Sequence, residues 1–245
     1  MKRIAVKIAY RGITFHGWQR QPREISVQET IEESLFKLLG KREKYPIVGC
    51  GRTDTGVHAS EYFFHVDVPK ETDLQDLGHK LNRVVGSEIV IKEMKEVASD
   101  WHARFDAKKR TYHYFIHREK DPFITDESVY VPGPLDFGKM NEACQYLMGK
   151  QDFTSLSKLH TDVKTNICTV SEAKWVQMNE TRFYFEISAD RFLRNMVRAT
   201  VGTLLEIGQG KMEPSEMKTI LEKMDRGAAS QSAPGQGLFL CGVEY

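Results

Sequence analysis

The sequence predicts an α/β (α+β) fold: two ferredoxin-like halves joined around a central mixed, largely antiparallel sheet. Three observations carry this. Alternating apolar runs and amphipathic helical stripes take turns along the chain. Residues 1–103 read in the order β-α-β-β-α-β. Residues 104–245 repeat that order with no visible repeat of residues, so 1–103 and 104–245 are the expected domains.

Ile4, Val6 and Ile8 alternate with Arg3, Ala5 and Lys7, which predicts a strand over 2–10. Residues 10–25 are polar and hold two glycines and a proline, a loop. A helix follows over 26–40. Ser26 suits its N-cap, Glu29 completes a capping box, and Gly40 ends it. Val27, Ile31, Leu35, Leu38 and Leu39 form its apolar stripe. Strands are predicted over 45–52, 61–68 and 88–97, with a weaker helix over 73–85.

In the second half, the aromatic content of 108–117 favours a strand, with Thr111 and His113 in uneven alternation with Phe115 or Ile116. A helix is expected over 136–149, with Met140, Ala143, Cys144, Leu147 and Met148 on one side. Residues 166–178 and 182–190 read as a hairpin around Asn179-Glu180. Helices follow over 192–208 and 214–224, the second with proline in its first turn. A strand closes the chain over 237–245.

A chain of 245 residues buries a real core. Its 40% hydrophobic and 28% charged content fits a soluble globular protein. Net charge is +1, so any nucleic-acid contact must come from local patches. Cys50, Cys144, Cys168 and Cys241 make no C-x-x-C pair and no zinc spacing. They read as reduced, mostly buried thiols of a cytoplasmic protein. Lys7 interrupts an N-terminal apolar run already too short for a signal peptide. No stretch approaches the roughly 20 apolar residues of a membrane span.

The chemistry-bearing stretch is GCGRTDTGVHA, residues 49–59. Gly49, Gly51 and Gly56 allow left-handed backbone or close approach to a ligand. They surround one carboxylate, Asp54, with Arg52 two positions before it. In an extended chain the two side chains share a side, and the guanidinium would keep the carboxylate ionised. A structural Arg–Asp pair tying down a turn is the plainer reading. Residues 104–120 carry six Lys/Arg against two acids, interleaved with Tyr112, Tyr114 and Phe115. That mixture suits unpaired RNA, or a solvated strand with one aromatic face inward. Arg191, Arg194 and Arg198 are spaced to line one helical face. Arg198 has apolar neighbours and is expected to meet a buried carboxylate, for which Asp54 is a candidate. His16, Trp18, Gln19 and Arg20 offer further polar contacts to a ligand.

Asp54-Thr55-Gly56 is also the triplet of aspartic proteases. That chemistry needs two carboxylates sharing a proton, and the chain has one such triplet among strong helices. A non-catalytic RNA-binding module is the other alternative.

GRTDTGVHA, together with YRGITFHGWQRQ, SVQETIEESL, WHARFDAKKRTYHY, FLRNMVRATVG and APGQGLFLCGVEY, resembles the TruA family of tRNA pseudouridine synthases. The motifs come in family order and span residues 5–245. The resemblance implies conversion of uridine to pseudouridine at positions 38–40 of the tRNA anticodon stem-loop. It implies a homodimer with a basic cleft, and neither metal nor organic cofactor. Asp54 matches the family's catalytic aspartate, and Arg52 the arginine that helps displace the target base. Tyr112 matches the tyrosine that stacks on the flipped uracil, and Arg198 the arginine paired with the carboxylate. Leu238 matches a residue lining the pocket. Arg11, the segment 84–88, Trp101 and Asn166 depart from the family's usual residues. These departures bear on loop contacts to RNA, not on the matched set.

Overall fold

A computed structural model describes residues 1–40, 45–158 and 165–245. Five α-helices and ten strands occur among the described residues, in the predicted α/β class. The chain divides into two compact units, Met1–Lys108 with Leu240–Tyr245, and Lys109–Phe239.

The first unit starts with β1 (Lys2–Tyr10), where Ile4, Val6, Ile8 and Tyr10 are buried and their neighbours are not. Helix α1 (Val27–Leu39) begins where predicted. Ser26 Oγ accepts from the Glu29 N–H at 3.2 Å, and Gly40 closes the helix at φ 78°. The Glu29 carboxylate meets Arg20 at 3.0 Å, which gives that half of the expected capping box another task. Val27, Ile31 and Leu35 are buried, whereas Leu38 and Leu39 are half-buried.

Strand β2 shrinks to Val48–Gly49, because the backbone turns into the glycine loop at Cys50. Strand β3 (His58–Val68) starts three residues earlier than predicted. Its ladder with β1 reaches Tyr10 opposite Ala59, so the glycine loop runs directly into a strand. Helix α2 (Leu74–Val84) is capped by Asp73, and β4 (Ile89–Val97) returns beside β1. Here β1 lies between β4 and β3, both antiparallel to it, and β2 is antiparallel to β3. Strand β10 (Leu238–Glu244), whose residues from Leu240 onward belong to this unit, lies next to β3.

The second unit starts with β5 (Lys109–His117). Its inward phase is Tyr112, Tyr114 and Ile116, which the uneven alternation had left open, while His113 and Phe115 are half-buried. Two short strands escaped the sequence reading. These are β6 (Val129–Tyr130), parallel to β5, and β7 (Gly149–Asp152), a polar segment held by its backbone ladder to β8. Between them α3 (Phe137–Gln145) ends before 149, as the Tyr146 and Leu147 N–H groups turn to the Ala143 and Cys144 carbonyls. Met140, Ala143, Cys144 and Leu147 are buried as expected, and Met148 is exposed. Strands β8 (Ile167–Gln177) and β9 (Arg182–Ala189) form the predicted hairpin. Asn179 Oδ1 holds its turn by accepting from the Thr181 and Arg182 N–H groups. The strand order is β5-β9-β8-β7.

Helix α4 (Met196–Gly208) starts four residues later than predicted. Asn195 adopts φ 68°, a left-handed conformation that bars helix upstream. Helix α5 (Glu216–Lys223) follows, with Pro214 just ahead of its N-cap Ser215. Cys50, Cys144 and Cys168 are buried, and Cys241 is half-buried.

Candidate active site

Asp54 sits in the glycine loop between β2 and β3, half-buried, with Arg52 exposed and Thr53 buried. Several contacts fix the loop. The Tyr62 hydroxyl donates to the Gly51 carbonyl at 2.5 Å. The Tyr10 and Thr53 hydroxyls lie 2.9 Å apart. The Trp18 N–H donates to the Thr53 carbonyl at 3.2 Å, and the Val57 N–H to the Asp54 carbonyl at 3.2 Å. Beneath the loop, Trp18 stacks on Tyr62 with ring centroids 4.1 Å apart, and Tyr10 meets Tyr62 edge-on at 5.6 Å.

Two of the three loop glycines are explained by geometry. Gly56 takes φ 75°. A Cβ on Gly49 would stand 2.0 Å from the Tyr62 hydroxyl oxygen and 2.6 Å from the Trp18 ring. A Cβ on Gly51 would meet nothing within 4 Å, so packing does not require glycine there.

Trp18 is buried, and its ring is part of the scaffold beneath the loop. His16 pairs with Glu24 at 3.0 Å. Arg20 meets both Glu29, at 3.0 Å, and Glu32, at 3.5 Å. A cleft of about 260 Å³ opens beside the loop, lined by Arg52, Arg104, Gln19, Gln28 and Trp18. Nothing in the spacing of the sequence pointed to Arg104 in particular. The signal was its place at the head of the basic, aromatic stretch.

The other matched residues lie in the second unit. Tyr112 is buried on β5, its ring edge-on to Phe192 at 5.0 Å. Arg198 lies in the first turn of α4, half-buried. Its Nε donates to the Ala233 carbonyl at 2.7 Å, and the Ala233 N–H donates back to the Arg198 carbonyl at 2.9 Å. Asn195 Nδ2 donates to Ser232 Oγ at 2.7 Å, and the Tyr114 hydroxyl to the Pro234 carbonyl at 2.9 Å. Segment 232–234 is thereby pinned just ahead of Leu238, which is buried at the start of β10. Burial pushes the Tyr114 hydroxyl's pKa up, against the opposing charge of Arg198. Arg191 and Arg194 precede the helix, so the expected three-arginine stripe does not form. The Arg191 Nη1 donates to the Thr165 carbonyl instead.

Among the described residues, no three His, Cys, Asp or Glu side chains gather where they could hold a metal ion. No described helix is long and apolar enough to cross a membrane.

Comparison with known proteins decides the family. A protein of Bacteroides fragilis named tRNA pseudouridine synthase A is 48% identical over 246 residues, covering 100% of this chain and 97% of that one. The chain belongs to the tRNA pseudouridine synthase A (TruA) family. A TruA protein of Porphyromonas gingivalis is 46% identical, covering 100% of this chain and 98% of its own. One of Bacillus subtilis is 37% identical, with 99% of each chain covered. The tRNA pseudouridine synthase family model matches residues 143–245. TruA proteins are isomerases, and the α/β architecture is consistent with the pseudouridine synthase fold.

Proposed function

We propose that this chain isomerises uridine to pseudouridine at positions 38, 39 and 40 in the anticodon stem-loop of tRNA, with Asp54 as the catalytic carboxylate. The observation that carries the reading is the glycine loop. It holds one half-buried carboxylate on a backbone fixed at Gly51, Thr53 and Asp54 itself, with an exposed arginine beside it. A reacting group held in one geometry lowers the entropic part of the barrier.

The reaction keeps every atom of the nucleotide apart from a proton exchanged with water. The bond from ribose C1′ to uracil N1 breaks, the ring turns, and C1′ bonds to C5. C5 loses its proton and N1 gains one. Asp54 acts at the ribose or the uracil, as nucleophile or base. The target must leave its stack before any carboxylate reaches it. In this proposal exposed Arg52 helps displace the base, and Tyr112 stacks on the uracil with its ring oriented by Phe192. Arg198, steadied by the Ala233 carbonyl, pairs with the Asp54 carboxylate and keeps it ionised. Leu238 lines the uracil pocket. The half 1–103 thus carries the catalytic carboxylate, and the half 104–245 the stacking tyrosine and the arginine. The enzyme works as a cytoplasmic homodimer.

The test incubates unmodified tRNA transcripts bearing anticodon-arm uridines with the purified protein and maps pseudouridine at each position. Product confined to positions 38–40 is the expected result. Tight binding without product would leave an RNA-binding module in place of an enzyme. Product elsewhere in the tRNA would overturn the assigned site.

A further inference from the structure

We infer that Arg104 and Phe105 form a stacking platform for an unpaired nucleotide of the RNA substrate, beside the cleft lined by Arg52. The inference rests on the pseudouridine synthase reading above and adds a contact to it.

Phe105 is 74% exposed. A lone exposed apolar side chain needs no explanation, but this one is held in place. The turn carrying it is built from both ends. The His102 N–H donates to Asp106 Oδ2 at 2.8 Å, and the Asp106 N–H to the His102 carbonyl at 3.0 Å. His102 Nδ1 accepts from the Arg104 and Phe105 N–H groups at 3.2 and 3.3 Å. Buried His65 accepts from the Ala103 N–H at 3.1 Å, and the Tyr245 hydroxyl donates to the Ala103 carbonyl at 2.8 Å. The His102 ring packs against Phe105 at 4.2 Å, tilted by 30°. The Arg104 guanidinium stands 5.8 Å from the Phe105 ring centroid. The platform is therefore formed before any ligand arrives, and little is ordered on binding.

The charge beside it selects the ligand. Arg104 lines the same cleft as Arg52, so two arginines border one cavity of about 260 Å³. Guanidinium groups match phosphate geometry. An aromatic face stacks on any unpaired base, without sequence preference. A base inside a duplex is already stacked and offers no face. The ligand is thus a single-stranded nucleotide. In this reading it is a neighbour of the target uridine, freed from its stack when that uridine flips, with its base on Phe105 and its phosphate at Arg104.

The experiment measures binding of the full chain to three labelled RNAs: a short oligouridylate, an anticodon-arm hairpin and a blunt duplex. Phe105→Ala should weaken the oligouridylate and hairpin about tenfold and leave the duplex unchanged. Phe105→Tyr should stay within about twofold of wild type on all three, since it keeps the stacking face. Arg104→Gln should lower the salt slope of binding by about one, which Phe105→Ala should not. Phe105→Ala binding the single strand as wild type does, or losing duplex affinity equally, would overturn the platform. So would a wild type that binds no single strand. If wild type makes no pseudouridine in any tRNA, the functional reading falls alone, because the binding comparison decides the platform without it.

Discussion

Gly49→Ala tests the packing that fixes the glycine loop. The new Cβ would stand 2.0 Å from the Tyr62 hydroxyl oxygen and 2.6 Å from Trp18 Cε2. Neither neighbour can yield freely. Tyr62 is fully buried and Trp18 is 2% exposed, and their rings stack at 4.1 Å. The Tyr62 hydroxyl is also committed to the Gly51 carbonyl at 2.5 Å. Overpacking a filled core costs about 1–3 kcal/mol. Pushing the hydroxyl off the Gly51 carbonyl adds about 1 kcal/mol. The sum is about 2–4 kcal/mol, which lowers the melting temperature of a chain this long by roughly 5–15 °C. The assay is thermal and urea unfolding of wild type, Gly49→Ala and Tyr62→Phe. Tyr62→Phe isolates the hydrogen bond, so it should lose only about 1 kcal/mol. Gly49→Ala should lose clearly more and should slow the reaction, because the misplaced loop carries Asp54. A Gly49→Ala protein as stable as wild type would refute the reasoning, since the loop would then have a give that these contacts deny it.

Three further outcomes are expected. Ser26→Ala removes the α1 N-cap and should cost roughly 1 kcal/mol in urea unfolding. Burial drives the pKa of His65 down to about 4, so the folded state holds it neutral where the unfolded chain, near 6.5, takes up a proton. Its contribution is therefore fully present above pH 6.5 and is lost as pH falls from 6.5 toward 4. His65→Gln should flatten that part of the stability profile. Arg198→Gln should lower kcat roughly a hundredfold with folding intact, if its charge acts on the carboxylate as proposed.

The legible parts of the fold were those where one local pattern decides. In β1 the alternation of Ile4, Val6 and Ile8 fixes both the strand and its buried face. In α1 the cap at Ser26, the stripe and Gly40 all agree. Where local signals conflict, tertiary context chose. Aromatic rings fall on both faces of β5, Tyr112 and Tyr114 on one and His113 and Phe115 on the other, so the inward phase of Tyr112, Tyr114 and Ile116 could not be told from its opposite. β7 is polar and exists through backbone pairing with β8. The apolar run from Phe192 continues into α4, which hides the left-handed Asn195 that separates Arg191 and Arg194 from the helix.

The candidate site divides the same way. Asp54, Arg52, Tyr112 and Arg198 stood out by residue type and spacing, and motif resemblance gave them roles and added Leu238, but neither says what holds them. Their scaffold became visible only in three dimensions. Tyr10 and Trp18 are far in sequence from Tyr62 yet pack with it beneath one loop, Trp18 stacked and Tyr10 edge-on. Arg198 faces a backbone carbonyl at Ala233, a group that no sequence pattern marks as an acceptor.

The most direct test of the central claim follows the hydrogen on uracil C5, which leaves when that carbon becomes the one bonded to ribose. A tRNA transcript carrying tritium at C5 of its uridines is incubated with wild type and with Asp54→Asn, and binding of the same tRNA is measured for both. The account predicts tritium release by wild type, none above background by Asp54→Asn, and similar tRNA affinity for the two. Release by Asp54→Asn at a rate close to wild type would contradict it, and the carboxylate that reacts would have to be another.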